Sequence, residues 1–107
     1  MNGRERSLEG VVTKHQLILP QNFDEYAWEV ESKGWFSGAR IRFEGKDYIL
    51  TFYDAVRLVQ EIEAEFLRGG VFFEPNLVVV KSLTRQNMEA AIDFLIRSGG
   101  VKSLVAG

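Results

Sequence analysis

The chain has 107 residues, with 13 Lys and Arg, 15 Asp and Glu, and a formal net charge of −2. A hydrophobic content of 46% with little net charge excludes general disorder and is typical of one folded domain. We therefore expect a single domain over residues 1–107, with loosely ordered ends at 1–7 and 99–107. The absence of cysteine excludes disulfides, thiol nucleophiles and zinc–thiolate sites.

The N-terminus and the charge balance indicate where the protein works and what it binds. Residues 1–9 are polar and charged, and the apolar core of a signal peptide does not follow them. No apolar run is long enough to span a bilayer. We expect a cytoplasmic protein without a membrane partner. The weakly acidic balance argues against nucleic acid as a partner, because such binders usually carry a basic surplus.

The first half of the chain has the patterns of β-strands. Residues 11–19 are rich in β-branched and apolar side chains and end at Pro20. Residues 26–31 alternate, with Tyr26, Trp28 and Val30 separated by Ala27 and Glu29. A period of two residues is typical of a strand with one buried face, so a strand is predicted at 26–31.

A β-hairpin is predicted over residues 39–53. Gly45-Lys46 suits a two-residue turn of type II′, whose first central position needs a positive φ. The resulting pairs are Phe43 with Tyr48, Ile41 with Leu50, and Ala39 with Phe52. All six side chains then lie on one face of the sheet, as a correct register requires.

The second half of the chain changes to helical periodicity. Asp54 is a suitable N-cap for a helix that continues to Phe66 and ends at Gly69-Gly70. Residues 77–81 form an apolar strand, and Thr84 caps a second helix that ends at Gly99-Gly100. This β-α-β crossover predicts that strand 77–81 runs parallel to strand 47–53.

The element order β-β-β-β-α-β-α predicts an α+β fold. We expect a two-layer sandwich in which a mixed, mostly antiparallel five-stranded sheet carries two helices on one face. The other face of the sheet is then open to water or to a partner.

Residues able to carry out catalysis are sparse. His15 is the only imidazole, and one histidine cannot form a histidine metal site. The two Gly-Gly pairs follow helices, whereas a dinucleotide-binding loop precedes one. Glu61 and Glu65 lie one turn apart, a spacing that is typical of a solvated helix face. We expect neither a cofactor nor a metal.

Two adjacent aromatic side chains between glycines are the first candidates for binding. Neighbouring strand residues point to opposite faces, so either Trp35 or Phe36 should leave the core, and Trp is enriched at binding hot spots. If strands 26–31 and 39–44 pair, Glu31 and Glu29 oppose Arg40 and Arg42, which gives a charged face. The predicted binding residues are Trp35, Phe36, Arg40, Arg42, Glu29 and Glu31.

These features favour a small non-enzymatic binding or regulatory module that acts through protein–protein contacts, including self-association. The alternative is a small-molecule-binding domain or an enzyme. It would use a pocket near the twisted sheet, with His15 and a carboxylate such as Glu61 reaching into it.

Overall fold

The structure is a computed structural model, and it describes residues 15–107. The four strands are β1 (His15–Ile18), β2 (Trp35–Phe43), β3 (Lys46–Tyr53) and β4 (Leu77–Val79). The three α-helices are α1 (Ala27–Lys33), α2 (Ala55–Leu67) and α3 (Arg85–Ser98). Short 3₁₀ helices cover Phe23–Glu25 and Gly100–Ser103. The α+β class is confirmed, but the prediction of five strands and two helices is wrong.

The strands form one mixed sheet in the order β1-β2-β3-β4. The pairs β1–β2 and β2–β3 are antiparallel, whereas β4 is parallel to β3, as the crossover predicted. Strand β4 ends at Val79, although the Val80 N–H still donates to the Tyr53 carbonyl at 2.9 Å. Of the strand predicted over 11–19, residues 15–18 form β1, and residues 11–14 lie outside the described part of the chain.

The β2–β3 hairpin turns one residue earlier than predicted. Glu44 and Gly45 occupy the turn with φ of 51° and 80°, and positive φ at both positions is typical of a type I′ turn. Phe43 therefore pairs with Lys46, and Ile41 with Tyr48, which shifts the register by two residues. A shift of two leaves each side chain on its own face. All six predicted core side chains of the hairpin accordingly lie in or against the core.

The strand predicted at 26–31 is wrong, because residues 27–31 lie in helix α1 and Tyr26 is the N-cap residue of that helix. Phe23, Tyr26 and Val30 recur at helical spacing, and all three side chains pack into the core. The Phe23 and Tyr26 rings meet edge to face at 5.6 Å. Gly34 then ends the helix in the left-handed conformation, with φ of 73°. Trp28, which a strand would have buried beside Tyr26 and Val30, is 71% exposed.

The two long helices differ in burial. In α3, Met88 and Ile92 are fully buried against the sheet, and the Thr84 hydroxyl caps the helix by accepting from the Asn87 N–H at 3.1 Å. Helix α2 is also capped as predicted, since the Asp54 carboxylate accepts from the Arg57 N–H at 2.8 Å. Yet none of the residues 55–67 is buried. Leu58 and Ile62 are half-buried, whereas Val56, Val59, Phe66 and Leu67 are exposed, so the apolar face of α2 is covered only in part.

The C-terminal residues lie beside β3, where β4 does not reach. Asn76 adopts a positive φ of 55°, and its side chain connects β3 to the C-terminal residues. Its Nδ2 donates to the carbonyls of Ile49 and Val105 at 2.9 and 2.8 Å, and its Oδ1 accepts from the Val105 N–H at 2.8 Å. The Gly107 N–H donates to the Asp47 carbonyl at 2.9 Å. These bonds satisfy backbone groups at this edge of the sheet.

Candidate functional site

Trp35 and Phe36 are the first two residues of β2, and they point into different surroundings. Phe36 is buried and meets the Phe23 ring edge to face at 5.3 Å. Trp35 is half-buried, and the Arg57 guanidinium lies 6.0 Å from its ring centroid. The register shifts between Phe36 and Ala39. Gly38 lies in this irregular stretch, and a Cβ atom at that position would lie only 2.8 Å from the Phe36 ring.

The predicted cross-strand charge pairs do not form. Glu29 and Glu31 lie on helix α1 rather than on a strand, and Glu29 pairs with Lys33 at 3.6 Å. Arg42 instead pairs with Asp47 across the hairpin, at 2.8 Å. This hydrogen bond lowers the pKa of the Asp47 carboxyl and raises the pKa of Arg42.

The structure does not bring the six predicted binding residues together, and they lie in three places. Glu29, Trp35 and Phe36 line a cleft of about 310 Å³ between α1 and the start of β2. Glu31 is exposed on α1 but does not line this cleft. Arg40 and Arg42 lie further along β2, on its exposed positions. Their role in binding remains a prediction.

The largest set of exposed apolar side chains lies elsewhere, on a part of the chain that we name the arm, residues 55–74. The arm consists of helix α2 and the segment 68–74 that returns to β4. Six of its large apolar side chains are between 51% and 90% exposed. They are Val56, Val59, Phe66, Leu67, Val71 and Phe73, and we call them the arm surface.

One side of the return segment is attached to the sheet by Tyr53. The Tyr53 hydroxyl donates to Glu74 Oε1 at 3.0 Å, and its ring meets the Phe72 ring edge to face at 6.3 Å. Two effects raise the pKa of Tyr53 to about 12. Burial of the phenol is the larger, and the Glu74 carboxylate adds to it. Phe72 and Glu74 therefore face the fold, and the alternating residues Val71 and Phe73 project away from it.

The base of the arm is held by Arg57. Its guanidinium pairs with Glu61 at 2.9 Å, donates to the Lys33 carbonyl at 3.2 Å, and lies over Trp35. The Asp54 N–H also donates to the Gly34 carbonyl at 2.9 Å. These contacts fix the direction in which α2 leaves the sheet. The half-buried Trp35 thus lies under Arg57 at the base of the arm, at the start of β2.

The arm surface was missed because its pattern has an ordinary structural explanation. Val59, Ile62 and Phe66 follow helical spacing, which predicts a helix face packed on the sheet. One signal was available in the return segment, where Val71 and Phe73 belong to a short apolar run after Gly69-Gly70. Such a run cannot be assigned to the inside or the outside from periodicity alone.

Residues 15–107 contain neither a cluster of metal-binding side chains nor a helix that could span a membrane. Within these residues, no group of three His, Asp or Glu side chains is arranged to hold a metal ion. None of the helices in the same range is long and apolar enough to cross a bilayer. Comparison of the chain with models of protein families, with curated proteins and with solved structures found no match.

Proposed function

We propose that this protein is a non-enzymatic binding module that acts through protein–protein contacts, and that the arm surface is its contact surface. The observation that carries the proposal is the combination of a well-capped amphipathic helix with an apolar face that is largely exposed. Helix α2 has both its N-cap and its anchoring contacts, yet none of its residues is buried. A helix of this kind obtains most of its stability from packing, which here a partner would supply.

The size of the arm surface supports this proposal. Val56, Val59, Phe66 and Leu67 lie within about 100° of the circumference of α2. With ordinary side-chain areas, their exposed fractions amount to about 450 Å². Val71 and Phe73 bring the arm surface to about 750 Å². Apolar patches of several hundred Å² on a monomer are often functional, and larger ones mark interaction sites.

The anchoring of the arm also favours recognition. A contact surface that is already ordered loses less conformational entropy on binding than a flexible one. Tyr53 holds the return segment, and Arg57 holds the base of α2. At 100° per residue, the exposed Glu63 lies within the arc of the arm surface on α2, and the exposed Gln60 lies at its edge. A partner would therefore meet polar groups beside the apolar side chains.

Site-specific photo-crosslinking in the cells that produce the protein tests the proposal. A photoreactive amino acid is placed at position 59 or 66 in the arm, and at position 89 as a control. Glu89 is exposed and helical like the arm positions, but it lies on α3 and outside the arm. We expect covalent protein adducts from positions 59 and 66, and none from position 89.

Two results would count against the proposal. The first is a folded protein that gives no adduct from either arm position. The second is an equal yield of adducts from all three positions, which would indicate random collision. An adduct with a second copy and an adduct with another protein both support the proposed function.

The alternative site at His15 stays a prediction, because the side chain of His15 lies outside what the structure describes.

A further inference from the structure

A second apolar surface of the same chain is concave. Strand β4 and helix α3 border a groove of about 500 Å³. Its floor and walls are mainly aliphatic and aromatic, and the half-exposed Val79 and Phe94 are among them. Lys81 and Asn87 provide polar groups. The residues that line the groove are Leu77, Val78, Val79, Val80, Lys81, Asn87, Ala90, Ala91, Phe94 and Leu95.

The position of this groove explains why it is open. In a β-α-β crossover, the helix ordinarily packs on the sheet beside the strand that it leads to. Here that strand is β4 and that helix is α2, but no residue of the arm lines the groove. Within residues 15–107, the arm surface is thus an exposed convex surface, and the groove is a concave surface that the arm does not fill. Both surfaces are apolar. In this part of the chain, the arm surface has no groove to pack into, and the groove has no helix packed in it.

We propose that the arm of one copy occupies the groove between β4 and α3 of a second copy, and that the exchange is reciprocal. This inference rests on the proposed function, since it names the partner of the arm surface. A reciprocal exchange gives a closed two-fold dimer, in which each chain contributes one arm and one groove. It places the helix of a β-α-β unit beside the strand and the helix that it would normally contact, but on the neighbouring chain.

The available area is sufficient for a stable dimer. A standard interface takes about 800 Å² from each partner. The arm surface exposes about 750 Å², and each chain also contributes its groove. A reciprocal exchange therefore reaches the standard size even if part of the arm surface remains in contact with water.

Charge is also complementary between the two surfaces. Two of the acidic residues of α2 are paired, Glu61 with Arg57 and Glu65 with Arg68. Glu63 is exposed and makes no ion pair with any residue from 15 to 107, and the same holds for Lys81 at the groove. An acidic group on the arm and a basic group at the groove attract one another and help to set the orientation of the dimer.

Sedimentation of the purified chain and of matched variants tests the exchange. Phe66→Glu disables the arm, Phe94→Glu disables the groove, and Ile49→Glu is the control on an exposed apolar residue outside both surfaces. We expect the wild-type chain and Ile49→Glu to dimerise. Phe66→Glu and Phe94→Glu should each raise the dissociation constant at least tenfold. Circular dichroism checks that the variants are folded. If Phe66→Glu is unfolded, Phe66→Ser takes its place as the arm variant, and if Phe94→Glu is unfolded, Ala90→Asp takes its place as the groove variant.

Mixing the two disabled variants gives the decisive result. The Phe94→Glu copy keeps an intact arm and the Phe66→Glu copy keeps an intact groove. The mixture should therefore form a heterodimer with one intact arm–groove contact, which associates more tightly than either variant does with itself. A dimer that is lost in Phe66→Glu but unchanged in Phe94→Glu would overturn the exchange in favour of contact between two arms. A wild-type chain that stays monomeric up to about 1 mM would also overturn it.

These outcomes can be separated from a failure of the proposed function. If the chain is monomeric but positions 59 and 66 crosslink to another protein, the arm surface binds a different partner and only the exchange is wrong. If these positions crosslink to nothing, the proposed function itself is wrong.

Discussion

Phe66 and Phe52 form a matched pair that tests whether the arm surface is dispensable for the fold. Both residues are phenylalanine, and both lie in regular secondary structure. Phe52, the last residue but one of β3, is 0% exposed, whereas Phe66 is 62% exposed near the end of α2. We consider the replacement of each by alanine in the isolated chain.

The burial of each side chain sets the expected loss of stability. Truncating a fully buried phenylalanine to alanine costs about 3–5 kcal/mol, which is the expected loss for Phe52→Ala. Phe66 retains a little more than a third of that burial. Phe66→Ala should therefore lose about 1–2 kcal/mol. The higher helix propensity of alanine offsets about 0.5 kcal/mol, so the net loss is about 1 kcal/mol.

Urea unfolding, followed by circular dichroism, measures both free energies of unfolding. The measurement is made at high dilution, so that association does not contribute to stability. A loss of 3 kcal/mol or more for Phe66→Ala would refute the reasoning, since it would show that the arm packs on its own fold. If Phe52→Ala does not fold, Ile41→Val serves as the buried reference, with an expected loss of about 0.5–1.5 kcal/mol.

Three further predictions concern the cap, the turn and the buried phenol. Asp54→Ala removes the acceptor for the Arg57 N–H and should lower the free energy of unfolding by about 1 kcal/mol, as measured in urea. Glu44→Asn should raise the melting temperature, because asparagine adopts the positive φ of this turn position more readily. The pKa of Tyr53, about 12 in the folded chain against 10.0 ordinarily, means that the neutral phenol stabilises the fold below pH 10.0. This contribution should be lost as the pH rises from about 10 to about 12, and Tyr53→Phe should not show that loss.

Local signals of the sequence predicted the N-caps of α2 and α3 and the glycine that ends α3 correctly. Asp54 and Thr84 cap their helices through bonds to backbone N–H groups three residues ahead, and Gly99 ends α3 with a positive φ. These features depend on a few neighbouring residues, so no distant contact is needed to specify them. The hairpin was predicted less completely. Its faces were correct, but a register error of two residues preserves every face and cannot be detected from the pattern of burial.

Residues 26–31 show where local patterns fail. Over six residues, Tyr26, Trp28 and Val30 satisfy a period of two, and Tyr26 and Val30 also satisfy a helical period. The decision depended on Phe23, which packs against Tyr26 and Phe36 and makes the helical face the buried one. Because residues 27–33 form a helix, the sheet lacks the predicted fifth strand, and the predicted charge pairs of Glu29 and Glu31 do not form.

The sequence by itself determined that the chain forms an α+β fold, where α2 and α3 begin, and, outside residues 26–31, which side chains share a face. The periodicity of a segment specifies these properties because it is set by the geometry of its own backbone. Only the tertiary structure decided what covers each face. Helices α2 and α3 are both amphipathic, yet α3 buries Met88 and Ile92 while α2 buries no residue. Burial depends on where the whole chain places an element. Here Tyr53 and Arg57 hold the two ends of the arm, and none of the arm residues lines the groove beside β4.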